Sequence, residues 1–113
     1  MSDLQCPARV YVVPGSVPSA DAVPGLREAN VARVYGDSLG LARAVTLADE
    51  LDAPVELRLD LPHLAADSPI PAVLDDLADV HRGEAIALVV DVPEALVCDR
   101  DMAGWRIRPI AAT

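Results

Sequence analysis

The feature that most constrains this chain is an uninterrupted apolar run, Ala85-Ile86-Ala87-Leu88-Val89-Val90. It is far shorter than the roughly 20 apolar residues that span a bilayer. It is also too uniformly apolar for a strand with one wet face. Such a run is expected of a central parallel strand covered on both sides. A chain that contains it must therefore supply helices or loops for two faces of a sheet. With 113 residues, 52% of them hydrophobic, the chain has the length of one domain and too much apolar content for a disordered tail.

Elsewhere the apolar pattern alternates between short strand-like runs and longer helical ones. Residues 9–13 are β-branched and aromatic and stop at Pro14-Gly15, and a second strand at 31–35 stops at Gly36. Between them the spacing predicts a short helix around 20–29, interrupted by Pro24-Gly25. A longer helix follows, capped by Asp37 or Ser38. Leu41, Ala44, Val45, Ala48 and Leu51 share its apolar face, while Arg43, Asp49 and Glu50 point away. Asp52-Ala53-Pro54 ends it. Residues 55–59 alternate, which predicts a strand near a sheet edge with one wet face. After Ser68-Pro69 a second helix carries Val73, Leu74, Leu77, Ala78 and His81 on its apolar side, with Gly83 just past its end. Residues 95–98 and 105–110 read as a closing hairpin, and Pro109 puts the last strand at an edge. This order predicts one α/β domain over residues 1–113. Its expected architecture is a three-layer, mostly parallel sheet with helices on both faces and a C-terminal antiparallel hairpin.

The chain carries 18 acidic and 9 basic residues, a net charge of −9. That balance weighs against nucleic acid, which is bound by clustered cations. All nine basic residues are arginine, so there is no lysine for a Schiff base or a phosphate loop. The first residues lack the basic and apolar regions of a secretory signal, and a soluble, cytoplasmic protein is expected. Cys6 and Cys98 lie outside any Cys-x-x-Cys pattern and read as small buried hydrophobes rather than a disulfide.

Ligands of open parallel sheets bind beyond the carboxyl ends of the strands. Here those ends carry Asp37, Asp60 with nearby His63, and Asp91. Together they are candidates for a magnesium site, because hard cations take carboxylates and water, in a small metal-dependent hydrolase or phosphatase. The simpler reading makes Asp37 a helix cap and the other two solvated turn residues beside proline. No other cofactor is implied. His81, in the last turn of a helix, reads as structural. The strand 55–59 and the strand Trp105-Arg106-Ile107-Arg108 offer edges that a protein partner or a second copy can extend. Trp105 then serves either as an interface anchor or as ordinary edge packing, with Arg106 and Arg108 beside it. A purely structural interaction module is consistent with this pattern.

Three stretches also carry a family resemblance. Residues 8–15, Ala-Arg-Val-Tyr-Val-Val-Pro-Gly, resemble the first strand of the histidine phosphatase (phosphoglycerate mutase-like) superfamily, which ends in Arg-His-Gly. Residues 34–44 resemble the Val-Tyr-Ser-Ser-Pro-Leu-x-Arg-Ala stretch that opens the next helix. Residues 79–90 resemble the passage before the second catalytic histidine. The resemblance covers about two-thirds of the chain, in the family's order, and it implies an α/β scaffold without the chemistry. Val13-Pro14-Gly15 stands for Arg-His-Gly, Leu41 for the helix arginine, and Asp91-Val92-Pro93 for Ser-His-Gly. Arg43 lies two residues past the arginine position. No family site residue carries over. The resemblance thus implies a pseudoenzyme, a binding, regulatory or accessory domain that lacks the lid-like insertion after the third strand and is not expected to take small anionic ligands.

Overall fold

The computed structural model describes residues 8–16, 20–38, 40–58, 72–81, 83–90, 95–101 and 104–110. Strands β1 (Ala8–Pro14), β2 (Val31–Gly36), β3 (Val55–Leu57), β4 (Ala85–Val90), β5 (Leu96–Asp101) and β6 (Gly104–Pro109) form one sheet. Its order is β3-β2-β4-β1-β5-β6. Helices α1 (Leu41–Leu51) and α2 (Ala72–Val80) follow β2 and β3. As its apolar run demands, β4 lies inside the sheet, parallel to β1 and to β2, with all six residues buried.

The expectation of a mostly parallel, three-layer sheet is corrected. The β1/β4, β2/β4 and β2/β3 ladders are parallel, but β1/β5 and β5/β6 are antiparallel. The sheet is mixed, and among the described residues strand outweighs helix, with only two α-helices. The reason lies in the short link from β4 to β5. A parallel join takes a crossover of a dozen or more residues, whereas β5 begins six positions after β4 ends. β5 must therefore run back against β1, and the hairpin extends the sheet.

Alternation along β4 divides the core. Ala85, Ala87 and Val89 pack with Ala44, Leu47 and Ala48 of α1, whereas Ile86, Leu88 and Val90 pack with Leu74 and Leu77 of α2. The α1 side is completed by a segment that is not the expected helix. One 3₁₀ turn at Ala20–Ala22 gives way to turns through Asn30. Pro24 lacks an N–H, and Gly25 adopts φ 84°, so a helix cannot run through them. The segment still buries Ala20, Ala22, Val23 and Leu26.

That segment also explains why α1 is rotated from the expected orientation. Val45 is 49% exposed and Leu47 is buried. Glu50, expected to point outward, accepts the Ala20 N–H at 3.2 Å, and Arg27 donates to the Glu50 carbonyl at 3.1 Å. Arg43, expected to face away, is half-buried. The flank of α1 toward residues 20–29 is thus covered, and its stripe turns that way. Asp52, in left-handed conformation, closes the helix by donating its N–H to the Ala48 and Asp49 carbonyls.

At the sheet's margins, β3 and β6 are the two edges, as the alternation of 55–59 and Pro109 predict. All three β3 residues are exposed, so both of its faces are wet rather than one. Among the described residues no helix is long and apolar enough to cross a membrane.

Candidate functional site

Parallel register brings the carboxyl ends of β1, β4 and β2 into one row: Pro14 pairs with Val90, and Gly36 with Val89. The turn from β2 into α1 is pressed against this row. A Cβ on Gly40 would stand 2.5 Å from the Val89 carbonyl oxygen, and one on Gly36 would stand 2.7 Å from the Ala44 Cβ. Both distances are below any tolerated contact, so only glycine fits. Gly15, by contrast, faces open space, and its N–H donates to the Val90 carbonyl at 3.3 Å.

Asp37 lies in this turn, and its Oδ1 accepts the Gly40 N–H at 2.7 Å. Gly40 itself is the N-cap of α1, without a side-chain cap. The carboxylate therefore organises the turn that leads into the helix. Asp60, His63 and Asp91, the other candidate magnesium ligands, lie outside the described residues, as do Cys6 and Val92. No group of three metal-ligating side chains occurs among the described residues.

The α2 side of the sheet holds a polar network beyond the candidate residues above. His81 is buried, with 6% of its surface exposed. Its Nδ1 lies 2.8 Å from Glu84 Oε1, and its Nε2 lies 2.8 Å from the Tyr35 hydroxyl. An ionised carboxylate only accepts, so Nδ1 carries the proton and, in the neutral ring, Nε2 accepts from Tyr35. Burial pushes the Tyr35 phenol above its ordinary pKa. Both ring nitrogens are satisfied, one by the buried Tyr35 and the other by the exposed Glu84, which is the arrangement of a structural histidine. The His81-x-x-Glu84 spacing was the only local hint; Tyr35 comes from 46 residues away.

The candidate interface residues sit on the edge strand β6. Trp105 is half-buried against the α2 side of the core, and its Nε1 donates to Asp75 Oδ1 at 2.9 Å. Arg100, opposite it in register, donates to Asp79 at 2.9 Å. Arg106 and Arg108 are exposed on the other face. There Asp99 receives Arg9 Nε at 2.6 Å and lies 3.8 Å from an Arg108 guanidinium nitrogen. The Asp99 carboxylate holds the Arg9 guanidinium above its ordinary pKa. Cys98 is a free, buried thiol, pushed up to about 11 by burial and secondarily by the Asp99 charge.

No protein-family model, curated protein or solved structure matches the chain.

Proposed function

We propose that this chain is a non-catalytic relative of the histidine phosphatases that acts by binding a protein partner, as a regulatory or accessory domain in the cytoplasm. The observation that carries this reading is the side-by-side placement of β1 and β4, with Pro14 in register with Val90. Pro14, the position that the resemblance gives to the family's first histidine, thus ends a strand that lies beside and parallel to β4, and Val92, the position it gives to the second, follows β4 in sequence. Neither proline nor valine is a nucleophile. Phosphoryl transfer rests on positioned donors and cations, whereas Asp37 follows β2 at this end, Asp91 comes next in sequence after β4, and a carboxylate repels phosphate.

The test is incubation of the purified chain with an aryl phosphate and with a radiolabelled phosphoryl donor. The expected result is no turnover and no acid-labile phosphohistidine, together with stoichiometric co-purification of one defined protein in native mass spectrometry. Turnover, or label on His63 or His81, overturns the reading.

A further inference from the structure

We propose that β6 is a docking edge for an extended acidic segment of another protein, which adds to the sheet as a seventh strand. This rests on the binding role proposed above and names the surface and the chemistry of the partner.

Three observations carry it. The first is the direction of the backbone groups. The Ile110 N–H donates to the Ala95 carbonyl at 2.8 Å. Bonded and non-bonded pairs alternate along an antiparallel ladder, and the register couples Val97 with Arg108 and Asp99 with Arg106. Arg106 and Arg108 therefore turn their backbone groups toward β5, while Trp105 and Ile107 turn theirs outward. Pro109 belongs to the outward set, so its missing N–H costs no bond to β5. The second is stiffness. Trp105 and Ile107 are packed against the α2 side of the core, and the indole is tied to Asp75, so the edge is held ready rather than ordered on binding. The third is charge. In a chain of net charge −9, Arg9, Arg106 and Arg108 gather on one face of β1 and β6, with Arg9 and Arg108 both drawn to Asp99.

An added strand would place alternate side chains over this arginine face and the intervening ones along the Trp105–Ile107 face. The fitting partner thus alternates acidic with apolar or β-branched residues. A second copy of the chain fits badly. A two-fold pairing of two β6 strands through their outward groups sets Arg106 opposite either Arg108 or another Arg106, and like charges directly opposite destabilise a ladder. Nucleic acid supplies the charge but not the backbone groups that complete a ladder.

The experiment measures fluorescence anisotropy of a labelled peptide alternating glutamate and valine, titrated with the intact chain. Binding is expected, weakened about tenfold or more by the double variant Arg106→Glu/Arg108→Glu and regained when that variant meets a lysine–valine peptide. It is also expected to fall in about 1 M salt, where screening acts within ~3 Å. A peptide of equal charge with a central proline should bind at least about tenfold more weakly, because it cannot extend a ladder. Thermal melts of the variant check that the fold persists; should it not, Arg106→Gln alone, at an exposed site, provides the same comparison. Absence of binding, equal binding of the proline peptide, equal binding of an oligothymidine, or a chain dimer that the charge reversal abolishes each overturns the proposal. The aryl phosphate assay on the same preparation keeps the two readings apart: failed peptide binding without turnover removes this edge alone, whereas turnover removes the non-catalytic reading.

Discussion

Strands β3 and β4 both pair in parallel with β2, yet they are opposites in burial. Every residue of β4 is buried, and every residue of β3 is exposed, with Leu57 at 47%. Their sequences, AIALVV and VEL, already differ, but the decisive contrast is the number of neighbours. β4 has a strand on each side and a covered face above and below, so each methylene it carries is removed from water. β3 has one neighbour and stops after three residues. An apolar residue therefore stabilises the fold according to where the sheet places it, not according to its hydrophobicity alone.

The sharpest way to break this contrast is truncation in the centre. Leu88→Ala should destabilise by about 3–4 kcal/mol, through lost transfer energy and the cavity left behind, seen as a lower urea midpoint with an unchanged slope. A cost below about 1 kcal/mol would mean that β4 is not the packed centre. Moving outward, Cys98 on β5 gives a pH test. Its thiol sits at about 11 in the fold against 9.0 ordinarily, so the native state keeps a proton that the unfolded chain loses. Stability should be untouched by this group below pH 9 and fall by about 1–3 kcal/mol toward pH 11. Cys98→Ala should flatten that part of the curve.

On β2, Tyr35→Phe leaves His81 Nε2 buried without its partner and should cost about 1–2 kcal/mol. An apolar replacement of the pair, Tyr35→Phe with His81→Leu, should recover part of that loss. Asp37→Ala should cost about 1 kcal/mol by releasing the turn before α1, read from the thermal midpoint, with Asp37→Asn retaining most of the stability. Leu57→Thr on β3 should change stability by less than about 0.5 kcal/mol. A larger loss would show that β3 is held more firmly than its exposure implies.

The two edges were legible because alternation at 55–59 and a proline at 109 are incompatible with a covered, fully paired strand. The carboxyl ends of the helices were legible for a similar reason, since Pro54 and Gly83 interrupt the helical pattern locally, whereas the expected cap of α1, Asp37 or Ser38, gives way to Gly40. The orientation of α1 was not. Val45 and Leu47 are equally apolar, and only the packing of residues 20–29 against one flank of the helix decides which of them is buried. The candidate site was legible only as a row of strand ends. That Asp37 braces its own turn follows from three-residue spacing, but the fit of Gly40 against the Val89 carbonyl is a contact between segments distant in sequence.

By itself, then, the sequence determined the strands and the two α-helices, though not the turns that replace the expected helix at 20–29, and that residues 85–90 lie at the centre, because periodicity and turn chemistry act over a few residues. Only the tertiary structure decided that β5 runs back beside β1 to make the sheet mixed. The same is true of the link from Tyr35 through the buried His81 to Glu84, and of the gathering of Arg9, Arg106 and Arg108 on one face. Each of these joins residues that no local pattern connects, and each depends on which strands become neighbours. That choice is made by burial over the whole chain, where the entropy of closing long loops is offset by covering the apolar centre on both sides.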